Sequence, residues 1–325
     1  DAKPGTGVTH YAGGRQQETS DAQDVRPRIR RPFVTRAPTK VALEDGTLPF
    51  GALLTGGKAL REAGLTGKGV RVAVIDSGVD ADHPAFHGRV FKRQWHRHGT
   101  PLSEDDHGTH VAGTIHFMAP DAEIYDYRVF GEKGELSVDE AIAAAISDAC
   151  NDGCNLINMS LGGPAPDPQI HTAVQYAQSQ GVHMICAAGN DGDGDPLTNE
   201  NAWPANHDET ISIAALRKKD GFAADFSNSN PKVDYGGVGT KVVSMKPGGG
   251  FQEMSGTSMA APHVAGLIAA LLSEGSVRPN EKELRRMLTE KYAIDVGVKG
   301  PDHSTGVGFL TYISKDEVET MVPGW

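Results

Sequence analysis

From about Leu48 onward, short apolar runs alternate with amphipathic stretches. Runs at residues 70–76, 124–130, 156–161 and 182–187 have the length of buried strands, while 138–150 and a stretch near 170–180 repeat apolar positions at helical spacing. Strand followed by helix followed by strand predicts βαβ crossovers, and so an α/β fold with a mostly parallel sheet. Runs at 210–216 and 241–245 are expected to continue that sheet, with a long helix at 258–274. A further helix at 280–292 opens on Asn280 with Glu283 three residues on, the spacing of a capping box. Residues 1–47 lack apolar periodicity and carry Arg26-Pro27-Arg28-Ile29-Arg30-Arg31-Pro32, then Arg36 and Pro38, so they read as an extended arm or linker ahead of a domain over 48–325. No internal repeat is visible.

Composition narrows the class. Among 325 residues, 38% are hydrophobic and 22% charged, the balance of a globular protein. A net charge of -11 repels phosphate backbones and anionic lipid surfaces, so neither nucleic acid nor a membrane is an expected partner. The longest apolar stretches, such as 141–146 and 267–272, fall far short of the roughly 18 residues a spanning helix needs. Cys150, Cys154 and Cys186 form an odd set without the C-x-x-C spacing of zinc or redox motifs, which excludes a disulfide scaffold. Glycine is frequent and clustered, as in Gly162-Gly163 and Gly248-Gly249-Gly250, which suggests loop-borne function on a rigid frame. The first residue is Asp1, with no Met and no signal-peptide pattern, so a processed form is the expectation.

In a parallel sheet the crevice lies at the carboxyl ends of strands, so polar residues that end apolar runs are the place to search. Asp76 ends Val72-Ala73-Val74-Ile75 and is followed by Ser77-Gly78; taken alone it reads first as a strand-end Asp capping a turn. Asp106-His107-Gly108-Thr109-His110-Val111-Ala112-Gly113 holds two histidines three apart, a metal pair or core histidines if taken alone; a zinc reading lacks the H-E-x-x-H spacing and a third ligand. Ser258, within Ser255-Gly256-Thr257-Ser258-Met259-Ala260-Ala261-Pro262-His263-Val264-Ala265-Gly266, could be a simple helix cap. Together they supply a carboxylate, an imidazole and a hydroxyl. That is what nucleophilic acyl transfer needs, because a serine is inert near neutral pH until an oriented imidazole takes its proton.

These three motifs, in the order Asp, His, Ser, resemble those of the subtilisin-like serine proteases, over about Leu48 to Leu310. The resemblance implies a three-layer α/β/α fold and a serine endopeptidase that works through an acyl-enzyme and needs no cofactor for its chemistry. It assigns Asp76 to orienting, His107 to general base and acid, and Ser258 to attack, and leaves His110 and His263 as scaffold. Ile185-Cys186-Ala187-Ala188-Gly189-Asn190 is similar to the family's strand ending in the oxyanion-hole Asn, here Asn190. Asn158-Met159-Ser160-Leu161-Gly162-Gly163-Pro164 resembles its substrate-pairing segment. There Ser160, Leu161 and Gly162 would pair with an extended polypeptide, and Ala187, Ala188 and Gly189 would wall the P1 pocket. Gly134, Glu135 and Leu136 would form the opposite edge, with Leu136 narrowing that subsite. The same triad would serve a pathway-specific processing protease or a transpeptidase, in which an amine resolves the acyl-enzyme, or a catalytically silent peptide-binding relative.

The sequence departs from the family in three places. His83-Pro84 is followed by Ala85 where the family often has a calcium-binding Asp, and Thr114 to Pro120 closes directly where its calcium loop normally lies, so that site is expected to be absent. Tyr235-Gly236-Gly237-Val238-Gly239 replaces the family's usual Ala-Pro-Gly. After Asn190, the carboxylates of Asp191, Asp193 and Asp195 allow three readings: a solvated turn, a structural calcium site, or a preference for a basic P1 residue. They fail as an EF-hand, since Pro196 stands where Gly is required. Under the basic-P1 reading Arg30-Arg31 would be a self-cleavage site. A monomer is the expectation. The resemblance also implies an inhibitory pro-region not recognisable in this chain, and export; the free thiols argue instead for a reducing compartment.

Overall fold

The computed structural model describes residues 39–43, 47–273, 275 and 278–325. The basic run at 26–32 with its Arg30-Arg31 pair, Arg36 and Pro38, and Glu274 lie outside the described residues. In chain order the elements are β1 (Thr39–Val41), α1 (Phe50–Leu54), α2 (Gly57–Glu62), β2 (Arg71–Asp76), β3 (Val90–Trp95), α3 (His107–Met118), β4 (Glu123–Arg128), α4 (Val138–Asn151) and β5 (Leu156–Met159). There follow α5 (Pro168–Ser179), β6 (His183–Ala187), β7 (Ile211–Leu216), β8 (Tyr235–Val238), β9 (Val242–Met245), β10 (Phe251–Met254) and α6 (Thr257–Leu272). The chain closes with α7 (Glu281–Met287), β11 (Ala293–Ile294), β12 (Phe309–Leu310) and α8 (Lys315–Met321).

Nine strands form the central sheet in the order β11-β12-β8-β7-β6-β5-β2-β4-β3, parallel throughout except where β11 meets β12. Alternation along the strands separates two cores. Val72, Val74 and Leu156 point to the side of α3 and α6, whereas Ala73, Ile75 and Ile157 point to the side of α4 and α5. Sheet and two helical layers make the α/β/α arrangement that the alternating pattern and the motifs implied. All sixteen residues of α6 are buried, which is why its sequence is apolar on every face.

The run at 241–245 does not continue this sheet. It forms β9 of a separate antiparallel sheet, ordered β1-β10-β9. Its place in the large sheet is taken by β8, the glycine-bearing segment in which the sequence alone showed no strand. Gly236 there lies against Leu216, where a Cβ would come within 2.7 Å, so close strand packing accounts for its composition. Within the stretch read as an arm, β1 pairs with β10, so residues 39–41 are joined to the body. The helix expected at 280–292 has the capping box of Asn280 and Glu283, but α7 ends at Met287 and passes into a π-turn at Leu288–Tyr292.

The strand order reverses around β2, which has β4 on one side and β5 on the other. A crevice opens at such a switch point, outside the carboxyl ends of the strands. Asp76 is the last residue of β2, and Ser160 directly follows β5.

Candidate active site

The carboxylate of Asp76 is fully buried and accepts the Ser77 N–H at 2.6 Å. Nδ1 of His107, the first residue of α3, lies 2.8 Å and 3.0 Å from its two oxygens. Such a contact makes Nδ1 the protonated nitrogen and leaves Nε2 with its lone pair. His107 Nε2 is buried and has no hydrogen-bond partner among the described residues. The approach of α3 to the β2 turn depends on Gly108, where a Cβ would come within 2.5 Å of the Gly78 carbonyl oxygen. The Gly108 N–H donates to Ser77 Oγ at 3.0 Å, which ties the helix start to the strand end.

Ser258 sits in the first turn of α6, the helix that packs beside α3. Its Oγ donates to the Ser160 carbonyl at 3.0 Å, and Ser160 Oγ donates to the Ser258 carbonyl at 2.9 Å. Pro262 explains the second bond. It lies four residues after Ser258 inside the helix and has no N–H to offer, so the Ser258 carbonyl is left for a side-chain donor. Asn158 Nδ2 donates in turn to Ser160 Oγ at 3.0 Å. The proline therefore links the nucleophile candidate to the segment read as pairing with substrate.

Asn190 follows β6 after the Ala188-Gly189 turn. Its Oδ1 accepts both the N–H and the hydroxyl of Thr257, at 2.9 Å and 2.7 Å. Since a backbone N–H can only donate, these bonds fix which end of the carboxamide carries oxygen and turn Nδ2 away from Thr257. Thr257 Oγ1 also accepts from the Gly189 N–H at 3.2 Å, so one hydroxyl spans the turn. At Gly189, with φ +110°, a Cβ would meet Asn228 Nδ2 at 2.2 Å. Asn228 Oδ1 then accepts the Asp191 N–H at 2.7 Å. Thr257 and Asn228 were not picked out from the sequence: Thr257 stood inside a quoted motif, but nothing in Ser227-Asn228-Ser229 signals a role.

Ala187 and Ala188 are buried, and Ser160, Leu161 and Gly162 are buried beside the crevice. Gly134 and Glu135 are exposed; Leu136 is half-buried against the α4 and α5 core, and its carbonyl accepts from Arg97. Asp191, Asp193 and Asp195 do not converge. Asp193 Oδ1 accepts from the Asp195 N–H at 2.9 Å and the Thr198 hydroxyl at 3.0 Å, while Asp195 Oδ1 accepts from the Leu197 N–H at 2.9 Å. His110 and His263 hold the scaffold. His110 Nε2 lies 3.1 Å from the Val242 carbonyl, and His263 Nδ1 lies 2.8 Å from that of Met259.

Burial lowers several imidazoles. Desolvation first, then the neighbouring His107, brings His110 down to about 3, and burial brings His263 and His116 down to about 4. Asp126, on β4 beside β2, is pushed the other way by burial, up to about 7, although Trp95 Nε1 donates to it at 2.8 Å. Burial also brings His207 down to about 4, and between about pH 6.5 and 4 an unfolded chain takes up protons that these four folded histidines refuse, so their contribution is lost as pH falls. Asp126 opposes them, since its folded state binds a proton that an unfolded aspartate releases above about pH 4. The histidines outnumber Asp126, so the net dependence carries their sign. The melting temperature, measured on Ser258→Ala protein to prevent self-digestion, is expected to fall steeply from pH 6.5 to 4.5; a flat or rising profile would contradict this accounting.

The family model described as the subtilase family matches residues 67–308. An intracellular serine protease of Paenibacillus polymyxa is 36% identical over 77% of this chain and 81% of that protein. The major intracellular serine protease of Bacillus subtilis (strain 168) is 32% identical over 80% and 83%, respectively. Subtilisin E of the same strain is 35% identical over 70% of this chain and 62% of its own length. With an acid, an imidazole and a hydroxyl arrayed around the switch point of a parallel sheet and with these relatives, the chain belongs to the subtilase family of serine proteases.

Proposed function

We propose that this protein is an endopeptidase that cleaves extended polypeptides through an acyl-enzyme on Ser258. The observation that carries the reading is His107, with Nδ1 held by both oxygens of Asp76 and Nε2 unpartnered among the described residues, on a helix packed beside the one whose first turn holds Ser258. In the reaction the Ser258 hydroxyl gives up its bond to the Ser160 carbonyl and passes its proton to His107 Nε2 as Oγ bonds to the substrate carbonyl carbon. Asp76 stabilises the imidazolium, which then protonates the leaving amine. Water resolves the ester by the same route. This reading assigns the oxyanion to the Ser258 N–H, one of the first-turn donors of α6 that have no acceptor within the helix, and to the Asn190 amide.

No cofactor enters this chemistry. The connection from α3 to β4 is only residues 119–122, and the Ala85 N–H donates to the ring of its neighbour His83 at 3.2 Å, which supports the reading that the family's tight calcium site is absent. The self-satisfied carboxylates of Asp193 and Asp195 support a solvated turn. The relatives named intracellular and three unpaired thiols favour a reducing compartment over export. No helix among the described residues is long and apolar enough to cross a membrane.

Labelling with a fluorophosphonate tests the mechanism directly. One adduct per chain is expected, mapped to Ser258 by mass spectrometry and lost in His107→Ala. Folded wild-type protein that stays unlabelled would leave a silent peptide binder, and peptide products diverted by added amines would indicate a transpeptidase.

A further inference from the structure

Outside the active site, α5 and the loop before β7 bring three donors of a different kind together. His171, in the first turn of α5, stacks on His207 with ring centroids 4.0 Å apart and planes 12° from parallel. His171 Nε2 lies 3.3 Å from Glu209 Oε1, and one donor atom of each of the three residues lies within 4.8 Å of the others. Among the described residues no other group of three His, Cys, Asp or Glu donors comes this close.

His207 gives the second, independent observation. It is only 5% exposed, and its buried Nε2 has no hydrogen-bond partner among the described residues. An orphaned buried ring nitrogen is unfavourable unless something engages it.

We propose that His171, His207 and Glu209 bind one divalent transition-metal cation, with zinc the best match. Two imidazoles and one carboxylate are a zinc donor set, whereas calcium takes six or more oxygens. A bound ion lies in the plane of each imidazole that holds it, so two rings stacked nearly parallel cannot share one without moving. His207 is packed in place, with the Trp203 ring meeting it edge-on at 4.6 Å. The His171 side chain is 40% exposed and is the one that turns out of the stack. Trp203 exchanges two backbone bonds with Gly163, at 3.0 Å and 2.9 Å, so the ion braces this loop against the end of the segment that follows β5. Its role is structural, and it stands whether or not the proposed peptidase chemistry is correct.

The test is calorimetric titration of zinc into the full chain after removal of metal with EDTA, with Ser258→Ala as the parent protein to prevent self-digestion. One zinc per chain is expected, and His171→Ala and Glu209→Gln should each weaken it by at least about 10-fold, while His87→Ala, a histidine elsewhere on the fold, leaves it unchanged. Both substitutions fall on side chains that retain solvent contact, and unchanged melting temperatures without metal will verify the fold. The parent should melt higher in excess zinc and both variants should not. A smaller loss in either variant, or no saturable uptake by the parent up to about 0.1 mM zinc, overturns the site.

Discussion

Replacing Ser258 with alanine is expected to lower kcat/KM for peptide cleavage by on the order of 10⁶, the effect that loss of the nucleophile has in subtilisin. The substitution removes the attacking oxygen and one buried hydrogen bond to the Ser160 carbonyl, and nothing else. A bond of that kind contributes about 1 kcal/mol, so the melting temperature should move by only a few degrees and the variant should still bind peptide. The Ser258 carbonyl keeps its donor, Ser160 Oγ, because Pro262 is unchanged. Cleavage of a mixed peptide library, with products identified by mass spectrometry, gives the readout. Cuts that persist at more than about one-tenth of the wild-type rate would remove Ser258 from the chemistry.

The second large effect is expected at Asn190. Asn190→Ala should reduce kcat by about 10²–10³ with little change in KM, the size of loss seen when the corresponding donor is removed from subtilisin. The split matters more than the size. Charge on the substrate oxygen develops only in the transition state, so a donor aimed at it has almost nothing to bind in the ground state. Thr257 holds Asn190 by two bonds to Oδ1, one of them through its hydroxyl. Thr257→Val keeps the backbone bond but loses the other, together with the acceptor of the Gly189 N–H, and a smaller kcat loss is expected from the looser amide. If instead the Asn190→Ala defect falls on KM, the residue binds substrate and does not stabilise the oxyanion.

The acid, imidazole and hydroxyl were legible because each lies within a contiguous motif whose neighbours serve the same local geometry. Gly108 lets α3 start against the β2 turn, and the small residues after Ser258 make a helix that can be buried on every face. Strand positions were legible wherever alternation or continuous apolar character reflects two buried faces. Segment 235–238 was not, since Gly236 fits close packing against Leu216 and Gly237 against the Ala260 backbone, and neither carries an apolar signature. Segment 241–245 looks like any other strand, and only long-range pairing with Phe251–Met254 sends it to the second sheet.

The sequence by itself determined the alternation of strands and helices, the order of Asp76, His107 and Ser258 and the exclusion of a disulfide scaffold, because these rest on spacing along one chain. Tertiary structure alone decided that His107 Nδ1 faces Asp76 while Nε2 is left open, that Pro262 leaves the Ser258 carbonyl to Ser160, and that Asn228 backs the turn at Gly189. It alone also placed His171 against His207 and Glu209. Each of those contacts joins residues brought together by the sheet and its crossovers, and contacts between distant segments leave no periodicity or motif in the sequence.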